Sequence, residues 1–186
     1  MADPQALSPT GWKPGNRTLD LPSMLRVDHA GEYGATRIYA GQLAVLRKSS
    51  PAAHLVAHMA AQEERHLARF NQLLAERRVR PTLLQPLWHV GGFALGAVTA
   101  LISEKAAMAC TDAVETEIDR HYEEQLVELG DRDPELAADI RQFQAEELEH
   151  RDTAREHGSM EAPAYPLLHA AIRGICKVAI EVSKRV

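Results

Sequence analysis

The chain is poor in the residues that would mark a thiol-redox protein, a disulfide scaffold or a nucleic-acid binder. Of 186 residues only two are cysteine, Cys110 and Cys176. Two cannot build a disulfide framework, and no C-x-x-C pair is present for zinc, rubredoxin-type iron or thiol exchange. Both are read as small buried apolar residues. Positive charge is not in excess: 21 Lys+Arg stand against 26 Asp+Glu, a net charge of −5, which argues against binding nucleic acid through its phosphates. G-x-G-x-x-G is missing, and with it the dinucleotide fingerprint. No stretch alternates polar and apolar residues at period two, so no strands are expected. The first nineteen residues hold Pro4, Pro9 and Pro14 and no apolar run. That is neither a secretory signal nor an Arg-rich transit peptide. Residues 1–19 are therefore expected to be a disordered lead-in, and 20–186 a single domain.

What is there reads as helix. Glycine and proline gather at a few seams, and these set the expected boundaries. A first helix runs from Pro22 to Lys48. Ser50-Pro51 supplies a cap followed by proline at the first helical position, opening a second helix to Arg77. The seam RVRPTLLQP (78–86) breaks the chain at Pro81 and Pro86. A long third segment follows, from Pro86 to Leu129, read as one very long helix or as two pieces broken near Ser103. Gly130 closes it, and Asp133-Pro134 opens the next helix, which runs to His157 and stops at Gly158. A last helix covers Pro163 to the end. Long helices on short seams imply an all-α antiparallel bundle.

Within that bundle the sequence repeats itself. E-x-x-H occurs at Glu63/His66 and again at Glu147/His150. With 17 glutamates and 9 histidines, chance supplies about one such pair, so the spacing alone carries little. Upstream, however, E32YGATRIYAGQLAVL matches E115TEIDRHYEEQLVEL at an offset of 83. Glu, Arg (37 and 120), Tyr (39 and 122), Gln-Leu (42–43 and 125–126) and Leu (46 and 129) all coincide. The E-x-x-H pairs coincide at an offset of 84. The chain is a duplicated helical hairpin, each copy carrying Glu…Glu-x-x-His.

Residues i and i+3 share a helix face. A spacing of 31 or 32 residues takes the chain up one helix and back to the same level. Two docked hairpins therefore bring Glu32, Glu63, Glu115 and Glu147, with His66 and His150, to the bundle centre. That is the pattern of di-iron and di-manganese carboxylate bundles. Four uncompensated carboxylates in a core would repel and take up protons, whereas two divalent cations neutralise them. Oxygen-rich ligands with one imidazole per metal favour iron or manganese. Asp28, Asp112 and His29 lie within a turn of the upstream glutamates and are candidates to orient the imidazoles. Glu64, Glu146 and Glu149 are expected on a solvated face. His54 and His58 are an i, i+4 pair that could bind a metal, but they lie outside the repeat and are expected in an exposed or capping role. Tyr39 and Tyr122 fall two turns from Glu32 and Glu115 on the same face and read first as core. His121 and Tyr122 are the candidate accessory residues.

PLWHVGGFALGAVTALI (86–102) carries no formal charge over seventeen residues, short of the roughly 20 that span a bilayer. It reads as a buried bundle helix or one lying at a membrane interface, with Gly92-x-x-x-Gly96 suited to close helix approach. The final helix sets Ile172, Ile175, Ala179 and Val182 on one face, near Arg173, Lys177, Lys184 and Arg185. That pattern suits anionic lipid or packing on the bundle.

Five segments carry a resemblance: RVDHAGEYGATRIYAGQ (26–42), QEERHLARFN (62–71), RVRPTLLQPLWHVGGFALGA (78–97), EKAAMACTDAVE (104–115) and EELEHRD (146–152). The chain resembles the demethoxyubiquinone hydroxylases of ubiquinone biosynthesis, ferritin-like di-iron monooxygenases. The resemblance implies a ferritin-like four-helix bundle with an added C-terminal helix. It implies two Fe ions, with Glu32, Glu63 and His66 serving one and Glu115, Glu147 and His150 the other, Glu63 and Glu147 bridging. O2 is the implied co-substrate, a polyprenylated demethoxyubiquinol the lipid-soluble substrate, and NADH one candidate external reductant. The implied place is peripheral, on the cytoplasmic face of the cell membrane or, in a eukaryote, on the inner mitochondrial membrane. A homo-oligomer or a helper protein is left open. The alternatives are a ferritin- or rubrerythrin-type ferroxidase or peroxidase and a non-enzymatic membrane-bound helical protein. A tRNA-hydroxylating di-iron protein is disfavoured by the negative charge.

Overall fold

The computed structural model describes residues 19–186; the expected lead-in lies almost wholly outside them. Six α-helices are present: α1 (Leu21–Val45), α2 (Pro51–Glu76), α3 (Gln85–Ile102), α4 (Glu104–Leu129), α5 (Pro134–Glu156) and α6 (Tyr165–Ser183), with a 3₁₀ turn at Ser159–Glu161. No strand occurs among the described residues. Side-chain caps start four of the helices. Asp20, Ser50, Ser103 and Asp133 accept from the backbone N–H three residues on, at 3.0–3.1 Å.

The break at Ser103 is real and sharp. Its backbone is extended (φ −176°, ψ 164°) and its hydroxyl caps α4, so the long third segment is two helices. The first helix ends at Val45, three residues earlier than expected, because Leu46 turns extended (ψ 140°) and buries its side chain beside Ala53 and Val56. Gly130 (φ +53°) and Gly158 (φ +85°) take the positive φ that closes a helix.

The four-helix bundle consists of α1, α2, α4 and α5, in two antiparallel hairpins that each have close internal packing. It is a ferritin-like helical bundle with one long crossover. The third helix of each half returns along the first: α3 lies on α1 and α6 on α4. The α1–α3 contact depends on glycine. A Cβ at Gly96 would sit 1.9 Å from the Ile38 carbonyl oxygen, and one at Gly41 would sit 2.1 Å from that of Phe93, so the two backbones touch where no side chain fits.

Two apolar layers close the bundle at its ends. One holds Leu25, Phe70, Leu73, Tyr122, Leu129 and Ile140; the other holds Tyr39, Val56, Met59, Met108 and Ala154. Both come from opposite ends of antiparallel helices, which leaves a middle level between them, and there the polar residues lie.

Candidate metal centre

All six residues singled out by the repeat meet at that level, and none is more than 1% exposed. They form two overlapping groups. Glu32, Glu63, His66 and Glu147 each offer an atom within 4.8 Å of the others, and so do Glu63, Glu115, Glu147 and His150. Glu63 and Glu147 belong to both. His66 Nδ1 lies 3.1 Å from Glu147 and 3.3 Å from Glu32. His150 Nδ1 lies 3.0 Å from Glu147 and 3.2 Å from Glu63.

Each half supports the other. Tyr39 on α1 donates to Glu115 Oε1 at 2.7 Å, and Tyr122 on α4 donates to Glu32 Oε1. The second oxygen of each glutamate, and both oxygens of Glu63, have no hydrogen-bond partner. Leaving such atoms unpaired in a dry core costs on the order of 1–3 kcal/mol each, more for charged groups, so the layer is incomplete as a purely protein structure. The donor set fits cations: carboxylate oxygens and imidazole nitrogens, with free lone pairs, converge on two points.

The electrostatics agree. Burial first, and the neighbouring carboxylates second, hold Glu63 and Glu115 well above the usual carboxyl range. Burial also raises Glu147, against the pull of His66. Burial opposes charge on His66, but Glu147 and Glu32 outweigh it and raise the imidazole to about 10. Without cations, then, the cluster holds protons in their place.

The imidazole partners differ from those expected. Asp28 accepts from Gln125 at 2.6 Å and lies 3.3 Å from His121. Asp112 holds Arg155, Ser159 and Tyr165, and His29 reaches Asn71. None touches His66 or His150; each instead fastens one helix to the next. The residues that do hold the imidazoles are Glu146, 3.1 Å from His66 Nε2, and Gln62, with Oε1 3.1 Å from His150 Nε2. Glu146 is therefore not a solvated residue, although Glu64, Glu149, His54 and His58 are exposed as expected. The signal was available: Gln62 and Glu146 immediately precede the repeated glutamates at the same offset of 84. His121 contacts Asp28 rather than the cluster.

Beside the centre, between α1, α3, α4 and α6, lies a cavity of about 380 Å³. Its lining is apolar except for Glu117 and Ser183. Ala35 and Val114 line it, one turn from Glu32 and next to Glu115, while Leu87, Trp88 and Ile175 lie further out on α3 and α6. Glu117 turns its carboxylate to Arg120 at 2.9 Å and Arg173 at 2.5 Å. Lys177 is 3.7 Å from the same carboxylate, so of the two readings of the α6 cations, Arg173 and Lys177 follow the packing one and tie α6 to α4. The apolar face of α6 is also divided: Ile172 is buried, whereas Ile175, Val178 and Val182 are exposed. With Leu87, Val90, Val98 and Leu101 of α3, these make up most of the exposed large apolar side chains. Among the described residues no helix is long and apolar enough to cross a membrane. Both cysteines are free, and burial pushes the Cys110 thiol up to about 12, as an inert core residue requires.

Residues 20–183 match the family described as Ubiquinone biosynthesis protein COQ7. The 3-demethoxyubiquinol 3-hydroxylase of Rhodospirillum rubrum is 59% identical over 166 residues, covering 89% of this chain and 78% of that protein. The mitochondrial NADPH-dependent 3-demethoxyubiquinone 3-hydroxylase of Mus musculus is 52% identical over 166 residues, covering 87% and 76%. The mitochondrial 5-demethoxyubiquinone hydroxylase of Saccharomyces cerevisiae is 47% identical over 184 residues, covering 89% and 78%.

Proposed function

The chain belongs to the COQ7 family of ubiquinone biosynthesis proteins, and on that premise we propose that its buried Glu/His layer is a di-iron centre serving ring hydroxylation of a polyprenylated demethoxyubiquinol. The chain is a hydroxylase of ubiquinone biosynthesis. Glu32, Glu63, His66 and Glu147 would hold one iron, and Glu63, Glu115, Glu147 and His150 the other. The observation that carries this reading is Glu63, fully buried with neither carboxylate oxygen accepting a hydrogen bond, at the crossing of two mirrored donor groups.

Two bound irons supply the means of reducing O2 with electrons from an external reductant, chemistry that protein side chains lack. The remaining work falls to the chain. Burial keeps Tyr39 and Tyr122 protonated, so each fixes one oxygen of its glutamate by donation and leaves the other free. Glu146 and Gln62 accept from the Nε2 hydrogens of the imidazoles and so direct Nδ1 inward. The apolar cavity excludes water and suits a prenylated ring, with Ala35 and Val114 at its inner wall. The exposed apolar faces of α3 and α6 suit a peripheral seat on lipid: the cytoplasmic face of the cell membrane, or the inner mitochondrial membrane in a eukaryote. The mouse relative is named NADPH-dependent, which supports a reduced nicotinamide, NADPH or NADH, as the external reductant.

Iron-loaded protein given demethoxyubiquinol, reductant and 18O2 is expected to place one 18O atom in the product hydroxyl. Label-free product, or no product from protein holding two irons and adequate reductant, would remove the substrate assignment and leave the metal centre standing.

A further inference from the structure

The two halves match closely at the centre, and they differ where the imidazoles are held. Glu146 and Gln62 occupy equivalent places, each directly before a shared glutamate and each reaching across to the histidine of the other hairpin. One is a carboxylate and the other a carboxamide. Glu146 Oε2 lies 3.1 Å from His66 Nε2 and also receives Arg65 at 3.0 Å and Gln62 Nε2 at 3.3 Å. Its other oxygen receives Gln142 at 3.1 Å. Gln62 thereby points its carbonyl at His150 and its amide at Glu146, and this chain of contacts fixes which group faces which ring.

A carboxylate accepting from the far nitrogen of an imidazole draws the ring towards imidazolate and makes the near nitrogen a stronger donor. A neutral carbonyl polarises the ring less. We propose that Glu146 is a positioning residue that makes the two metal sites unequal, so that the His66 side binds its ion first and more tightly and the His150 side holds the exchangeable one. The inference rests on the two-metal reading above. Losing such an outer partner typically changes metal affinity about 10- to 100-fold, and a difference of that order is expected between the two binding steps.

The test uses metal-free protein and Mn2+, with no need for turnover. Calorimetric titration of the native chain is expected to show two separated steps. Crystals grown with one equivalent of Mn2+ should place the anomalous peak on the His66 side. In Glu146→Gln the two steps should converge. In the exchanged pair Gln62→Glu/Glu146→Gln, which keeps size and composition, the peak should move to the His150 side. A purely structural role for Glu146 would weaken binding in both variants without reversing the order. Equal occupancy in the native protein, or an unchanged order after the exchange, overturns the inference while leaving two bound ions. Folded native protein that takes up no Mn2+ and no Fe2+ overturns the metal reading itself, a distinguishable result.

Discussion

The bundle has two wide sides, and they have opposite chemistry. Between α2 and α5, Gln62, Arg65, Gln142 and Glu146 join in hydrogen bonds that run from both imidazoles to the surface. Between α1 and α4, the cover is α3 and α6, and the space they leave is an apolar cavity. Each half contributes one helix to each side, so duplication accounts for the shared metal level. The third helices make the sides differ: both lie along the first helix of their unit, and both therefore fall on the same side. A symmetric centre thus acquires a polar back, which holds its ligands, and an apolar front suited to a lipid-soluble substrate.

The strongest break of this arrangement removes what both halves share. Glu147→Ala is expected to abolish binding of both irons and all hydroxylation, because Glu147 belongs to both donor groups. Glu149→Ala, two residues on and exposed, should leave iron content unchanged. Metal analysis of the two purified variants decides it.

The front is next. Gly96→Leu would force α3 away from α1, since even a Cβ meets the Ile38 carbonyl at 1.9 Å. The expected cost is about 1–3 kcal/mol, read as a melting-temperature drop of about 2–12 °C. Gly34→Leu is milder. Gly34 lines the cavity, and a Cβ there meets nothing within 4 Å, so the side chain would enter the substrate space. A fall of about tenfold in kcat/KM for prenylated quinol is expected with iron content intact. An equal loss of iron would mean that the cavity is not separable from the centre.

The pH dependence follows from the raised groups. Glu63, Glu115 and Glu147 titrate above their ordinary 4.5, and His66 above 6.5, at about 10. Their contribution to stability is full below the unfolded values and is lost as pH rises through the folded ones. His150, lowered chiefly by burial, works in the opposite direction. Metal-free protein should therefore lose thermal stability between about pH 5 and 9, and added Mn2+ should raise the melting temperature more at the alkaline end. A flat or rising metal-free profile would contradict this. The smallest effect is expected from Tyr39→Phe, which removes one donor to Glu115. It should weaken metal binding by about 1 kcal/mol, measurable by calorimetry, with both ions still bound.

The metal level was legible because a repeat states it twice, and residues fixed by mirrored spacing need no tertiary information. The outer partners were harder. Asp28, Asp112 and His29 have the right chemistry and lie near the right glutamates along the helix, but Asp28 turns to Gln125 on α4, while His29 and Asp112 meet α2 and α5 at Asn71 and Arg155, five residues along from His66 and His150. Helical proximity does not tell which partner lies across an interface. Glu146 sits beside a buried glutamate, a position that by helical period faces solvent, but a long side chain at the edge of a face can turn inward. The turn at Leu46 was hidden for a similar reason: a helix-favouring residue left the helix to bury its side chain. Ser103 was visible because a serine cap is a local event.

The most direct test is the iron state of the intact chain after anaerobic loading with Fe2+, read by native mass spectrometry and Mössbauer spectroscopy. Two irons per chain are expected, magnetically coupled once oxidised, as two ions that shared Glu63 and Glu147 would be. A fully folded chain holding one iron, or two uncoupled irons, would contradict this.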